Sequence, residues 1–331
     1  MTDRLEALRG WLHAEAGLPE RCELVPASGD ASFRRYFRVT WDGRSAIAMD
    51  APPEKEDSRP FLHIAALLHG FGLNVPEVLA ADAGRGFALL GDLGDRQYLG
   101  ALGPETVERL YGDALGALLT LQVHGPTEPG PVPAYDRGLL LREMALFPDW
   151  LLERHLGLEL GEGARAALGE AFELLTAAAL EQPRVLVHRD YHSRNLMLTP
   201  RNNPGILDFQ DAVVGPVTYD LVSLLRDCYV AWPREAVEAW ALGYHDLALQ
   251  SGVLREEDPE RFLHWFDLMG VQRHLKAAGI FARLLHRDGK QGYLKDVPRT
   301  VGYIRAVAPR HRGLRELAAF LERDVVPRLA G

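Results

Sequence analysis

The chain has 331 residues, 47% apolar and 25% charged, with a formal net charge of −9. That length leaves room for about two domains, each with its own buried core. The acidic balance excludes broad binding to nucleic acid or to an anionic membrane, both of which need a basic face, and two cysteines, Cys22 and Cys228, are too few for a disulfide framework.

Leu5, Leu8, Trp11, Leu12 and Ala16 recur at helical spacing, so residues 3–16 are predicted as an amphipathic helix. The same stretch interleaves charge with apolar residues and lacks the apolar core of a secretory signal. No run of 18 apolar residues follows anywhere, so a cytoplasmic location is expected, with no membrane span. Three strand-like runs come next: CELVPA, then FRRYFRVTW after the turn SGDAS, then SAIAMDA after the hairpin signal Asp42-Gly43. SRPFLHIAALLHGFG reads as a helix with Ser58 at its N-cap and Gly70 near its stop. PEVLAAD and GFALLGD are two further strands.

After GDLGDRQ the pattern turns helical over 104–124, 137–155 and 163–180, is interrupted by the short β-like pieces RVLVH, NLML and GILD, and is helical again from Tyr219 onward. The fold class read from this order is α+β. A small β-rich N-lobe with one inserted helix spans 1–93, and a larger, mainly helical C-lobe spans 94–331.

The tripeptide His-Arg-Asp occurs twice. At 188–190 an apolar strand precedes it, Asn195 follows Asp190 after four residues, and Asp208 lies thirteen residues further on in ILDFQ. A hairpin of NLML and GILD folds Asn195 and Asp208 back to one place, where their side-chain oxygens suit Mg2+. Asp190 is then the group that accepts an incoming hydroxyl's proton in phosphoryl transfer, with Asn195 and Asp208 as metal ligands. At 286–288 the residue five places after Asp288 is Tyr293, and Gly289 reads as the C-cap of a helix ending in basic residues. The second copy is expected to be a helix terminus.

VLVHRDYHSRNLML followed by GILDFQDAVVGPVTYDLVSLLRD resembles the aminoglycoside phosphotransferase and choline-kinase family of the protein-kinase-like fold. The resemblance implies a bilobal fold and an ATP- and Mg2+-dependent kinase for a small molecule. The acidic charge and the lack of a long apolar run lead to the expectation of no nucleic-acid or membrane partner, and no obligate protein partner is inferred. GDASFRRYFRV, MDAPPE and VQRHLKAAGIFARLLHRDGKQGYL are similar to the bacterial anomeric amino-sugar kinases within that family. This implies a sugar acceptor phosphorylated at C1, N-acetylmuramate or N-acetylglucosamine, during cell-wall recycling. Aminoglycoside, choline or other alcohol kinases share the scaffold, and a nucleotide-binding pseudokinase is the alternative of another class. A metallohydrolase built on His188, Asp190 and His192 would leave Asn195 and Asp208 idle.

On the nucleotide side, Ser28, Gly29 and Ser32 occupy the turn expected over the phosphates, where a glycine lets backbone N–H groups approach. Leu90, Gly91, Asp92 and Leu93 match the inter-lobe hinge that holds adenine. The family's third-strand lysine is missing, with Met49 near its place. Arg34 and Arg35 are the nearest cations; being adjacent on a strand they face opposite sides, so at most one serves the nucleotide. A carboxylate-bearing acceptor would profit from a cation, for which Arg226, Arg273, Lys276 and Arg283 are the candidates. Asp220, opening the helix YDLVSLLRD, is expected to cap that helix or brace the catalytic loop.

Overall fold

The computed structural model describes residues 2–28 and 33–329; the expected phosphate-loop residues Gly29 and Ser32 lie outside them. The fold class is α+β, as expected from the sequence. The chain divides into two compact units, Met1–Ala114 with Arg194–Asp211, and Leu115–Ser193 with Ala212–Gly331.

The first unit is built on a five-stranded antiparallel sheet. Helix α1 (Thr2–Ala14) precedes β1 (Glu23–Ser28), β2 (Arg35–Trp41) and β3 (Arg44–Asp50). Helix α2 (Arg59–Gly70), β4 (Val78–Asp82) and β5 (Phe87–Gly91) follow, and the strand order is β1-β2-β3-β5-β4. Period-two alternation sorts the two faces of this sheet. Val39, Ala46, Ala48, Phe87 and Leu89 join Leu8, Trp11 and Leu12 of α1 in one core. Trp11 meets the Phe87 ring at 5.8 Å between centroids. Each of the large side chains buried here contributes roughly 1.5–3 kcal/mol relative to exposure.

The opposite face carries Tyr36 and Arg38 of β2, Ile47 of β3 and Leu90 of β5, which line a pocket. The β4–β5 hairpin requires glycine at Gly86. Its φ is 72°, and a Cβ there would fall 1.8 Å from the Ala51 carbonyl oxygen.

Ser58 occupies the N-cap of α2 but its hydroxyl makes no cap bond; it is buried without a partner. Pro60 at the start of that helix removes an N–H that would otherwise need capping.

The second unit is mainly helical. Its longest helix, Pro259–Asp288, is capped by the Asp258 carboxylate on the Glu260 N–H at 2.9 Å. It ends at Gly289, left-handed at φ 69°. The second His-Arg-Asp is therefore an exposed helix terminus, as its sequence context indicated. The expected helix over 137–155 is α-helical for Arg137–Leu146 and continues as a wider π-helical stretch, Phe147–His155. Pro148 accounts for the change, because it has no N–H for the regular i→i−4 bond. Gly279 of the long helix lets the Leu146 backbone approach; a Cβ at 279 would lie 2.3 Å from the Leu146 carbonyl carbon.

Candidate active site

Within the first unit, the strands Leu196–Met197 and Gly205–Ile206 pair antiparallel, Leu196 opposite Ile206 and Met197 opposite Gly205. The ladder runs on through Leu207 N–H, which donates to the Asn195 carbonyl at 2.9 Å. The hairpin is anchored to its own unit by Ile206 N–H on the Asn74 carbonyl and Leu198 N–H on the Arg96 carbonyl, both 2.7 Å. This register brings Asn195 and Asp208 together at the open end. Asn195 Nδ2 lies 3.4 Å from Asp208 Oδ2, and Gln210 Nε2 donates to Asp208 Oδ1 at 2.8 Å.

Asp208 has φ 62°, a left-handed backbone that an Asp tolerates better than most residues. The turn carries the next side chain, Phe209, onto Phe61 of α2, with ring centroids 5.1 Å apart. Asn195 and Asp208 line the same pocket as Ile47, Leu90 and the segment Gly91–Leu93. The predicted hinge and the predicted metal ligands thus share one cavity.

The donor set suits Mg2+. A carboxylate and an amide oxygen are hard ligands, and Mg2+ is commonly held by one or two carboxylates with water and substrate phosphates completing its shell. Among the described residues no group of three or more His, Cys, Asp or Glu could form a metal cage. His188 and His192 stand edge-on to Tyr191 and Tyr229, with ring centroids 5.7 and 5.4 Å apart.

Arg34, just before β2, and Arg35, its first residue, divide as alternation requires. Arg34, on the side of Tyr36 and Arg38, donates through Nε to Glu56 at 2.5 Å and lies over the Phe61 ring. Arg35 points the other way, to Asp50, a fully buried carboxylate that Arg4 also holds at 2.7 Å. The position of the missing lysine is apolar: Met49 is buried in β3, opposite Tyr36.

The sequence shows Arg38 as a member of a basic cluster with Arg34 and Arg35 but gives it no role at the site. It lines the pocket and grips Asp92 with Nε at 2.7 Å and Nη2 at 3.1 Å. Asp92 in turn accepts the Gly94 N–H at 2.9 Å, so it shapes the turn after β5.

In the second unit the buried strand Arg184–Val187 pairs with Val213–Pro216 and delivers His188–Asp190 at its end. Asp220, in the first turn of the helix Tyr219–Leu225, accepts the N–H groups of His188 at 2.6 Å and Arg189 at 3.0 Å. It braces the loop, one of its two expected roles. That brace holds Arg189 at φ 75°, an unfavourable backbone for a non-glycine residue. Asp190 N–H donates to His188 Nδ1 at 3.2 Å, which fixes the neutral histidine with its proton on Nε2.

Asp190 is half-buried. Burial opposes its ionisation, but Lys276 above all, with His192, Arg273 and Arg189, outweighs it and brings the carboxyl down to about 2. Lys276 sits 3.0 Å from both Glu143 and the Tyr219 hydroxyl. Glu143 also pairs with Arg189 and accepts from Tyr135. No sequence signal singled out Glu143: it is one glutamate within an ordinary helical pattern.

The remaining cation candidates differ in their partners. Arg226 donates to Asp267 at 2.5 Å and lies over Phe266. Arg273 is buried, with its Nη1 3.7 Å from the Cys228 sulfur, while Arg283 is half-buried beside Arg287 and Asp288.

Residues 23–264 match the model of the phosphotransferase enzyme family. The chain belongs to that family. It is similar to the N-acetylmuramate/N-acetylglucosamine kinase of Pseudomonas aeruginosa, 49% identical over 329 residues and 96% of each chain. The enzyme of the same name from Neisseria meningitidis is 45% identical over 95% of this chain and 94% of its own. Among solved structures, an ethanolamine kinase from Plasmodium vivax superposes with a TM-score of 0.65 at 13% identity, covering 95% of this chain and 89% of its own. A choline kinase from Streptococcus pneumoniae gives 0.63 at 11% identity over 92% of this chain and 100% of its own. These two likenesses carry the fold alone. Family membership makes the chain an enzyme of phosphate transfer. Among the described residues no helix is long and apolar enough to cross a membrane.

Proposed function

We propose that this phosphotransferase moves the γ-phosphate of ATP to the C1 hydroxyl of N-acetylmuramate or N-acetylglucosamine, with Mg2+ as cofactor. The pairing of Asn195 with Asp208 at the wall of the pocket that also holds the hinge carries this reading. The acceptor rests on the names of the relatives that match nearly the whole chain.

In this mechanism Asp190 accepts a hydrogen bond from the acceptor hydroxyl and aims its oxygen at the phosphorus. A carboxyl held near 2 is ionised throughout the working range, so it orients the hydroxyl and takes the proton late. A hemiacetal hydroxyl is more acidic than an ordinary alcohol, which suits so weak a base. Asn195 and Asp208 would hold the Mg2+, whose charge offsets that of the phosphate oxygens. Leu90–Leu93 offer backbone groups and apolar walls to adenine. Arg34, shared with Glu56, takes the part of the missing lysine.

ADP release with Mg-ATP across a panel of acceptors tests the proposal. Turnover with the two N-acetylated amino sugars, and little with kanamycin, choline or ethanolamine, is the expected result. The reverse preference, or nucleotide binding without transfer to any acceptor, would refute it.

Alternation on β2 separates two variants. Arg34→Ala is expected to raise the KM for ATP several-fold. Arg35→Ala should instead lower the melting temperature, because Asp50 loses one of its two cations inside the protein. Equal effects of the two on KM would contradict the assignment.

The Asp190 value gives a pH test. Activity needs the carboxylate, so it is lost as pH falls through the group's pKa. Held at about 2, that group sets no acidic limb in the usual assay range. Lys276→Met removes its strongest counter-charge and leaves burial to act. The acidic limb of kcat/KM should then move up by about one unit or more. An unmoved limb would show that Lys276 does not tune Asp190.

A further inference from the structure

The catalytic-loop unit holds several cations, and most have a carboxylate of their own. Arg189 and Lys276 share Glu143, and Arg226 has Asp267. Arg273 is the exception among these four. It is 5% exposed, its Nη1 reaches the Cys228 sulfur at 3.7 Å, and its Nε has no partner. A guanidinium removed from water without a matched acceptor is costly, and such groups are rare unless a ligand completes them.

Asp190 and Asp227 lie close enough to act on Arg273 through charge. Asp227, however, accepts the backbone N–H groups of Ser193 and Tyr229, both at 2.9 Å. Asp190 has the acceptor hydroxyl to hold.

Cys228, which Arg273 touches, leads directly into Tyr229. The half-buried Tyr229 ring lies 5.4 Å from His192, two residues after Asp190. An aromatic face of this kind suits the C–H face of a pyranose, and a planar fork of N–H donors suits a carboxylate. N-acetylmuramate differs from N-acetylglucosamine by a lactyl carboxylate on the C3 oxygen. Carbons 3 and 1 of the ring are separated by one atom, so a cation beside the base that holds the C1 hydroxyl is within reach of that carboxylate.

We infer that Arg273 binds the carboxylate of an anionic acceptor and sets the preference between N-acetylmuramate and its neutral counterpart. The inference rests on the amino-sugar reading above. Arg283 also has an unpartnered Nε, but it is half-buried, ten residues further along the helix, with Arg287 and Asp288 as neighbours.

The test compares kcat/KM for N-acetylmuramate and N-acetylglucosamine in the wild type, Arg273→Met, Arg273→Lys and Arg283→Met. Arg273→Met lowers turnover of both sugars somewhat, because Arg273 also supports Asp190. The ratio of N-acetylmuramate to N-acetylglucosamine should fall by a further ~30-fold, mostly through KM, as for a truncated buried charge pair. Arg273→Lys restores most of the ratio. A ratio within about threefold of wild type in Arg273→Met, or a shift found in Arg283→Met instead, overturns the inference. Should thermal melts show Arg273→Met unfolded, Arg273→Lys and Arg273→Gln read the same ratio, Gln falling and Lys holding. A wild-type enzyme inactive on both sugars overturns the functional reading itself, and that is seen before any variant is made.

Discussion

Replacing Asp190 by Asn is expected to lower kcat by about 10²-fold or more while leaving the KM for ATP near its wild-type value. The amide keeps the size of the side chain but cannot accept the hydroxyl's proton, and it presents its oxygen without a full charge. The loop itself should survive the change. Its shape depends on the Asp220 carboxylate holding the N–H groups of His188 and Arg189, and on Asp190 N–H, a backbone group, bonding His188 Nδ1. The pocket proposed for the nucleotide is lined by residues of the other unit. Steady-state ADP release at saturating sugar, together with a melting curve, checks the prediction. Near-normal turnover in a folded Asp190→Asn protein would remove the base from the mechanism.

Asp208→Ala should be as damaging or more so, on the order of 10³-fold in kcat/KM, because several kcal/mol of charge stabilisation depend on the cation that Asp208 is proposed to hold. Two consequences separate this from a folding defect. The Mg2+ concentration needed for half-maximal ATP-dependent thermal stabilisation should rise. The hairpin should persist, since its ladder runs through Leu196, Ile206 and the Leu207–Asn195 backbone bond, none of which involves the Asp208 side chain. Relief of the left-handed strain at φ 62° does not apply, because alanine tolerates that backbone less well than aspartate. An Asp208→Ala protein with unchanged Mg2+ dependence would show that the cation is held elsewhere.

What the sequence disclosed and what it hid follow from the range of the interactions. Asp190, Asn195 and Asp208 lie within nineteen consecutive residues, and the pieces NLML and GILD are local enough for their pairing to be read from pattern. The same holds for Gly289, whose capping role depends on its own backbone and the helix before it. Alternation alone separated Arg34 from Arg35.

The partners were another matter. Arg38 meets Asp92 across fifty-four residues, because β5 lies beside β3 and β3 beside β2 in the finished sheet. Glu56 lies in a loop whose path no periodicity describes. Glu143 gathers Arg189 and Lys276 from sites 46 and 133 residues away along the chain. A side chain's chemistry is visible in sequence; the charge it will face after long-range packing is not. Pro148 is a signal visible in the sequence: the predicted continuous helix over 137–155 takes a wider path from Phe147.

Phosphorus NMR on the product of Mg-ATP and N-acetylmuramate carrying carbon-13 at C1 tests the central claim most directly. The account predicts one new phosphomonoester resonance, coupled to the labelled carbon, formed by the wild type and suppressed in Asp190→Asn and Asp208→Ala. A phosphate coupled to another position, or one formed equally well by both variants, would contradict it.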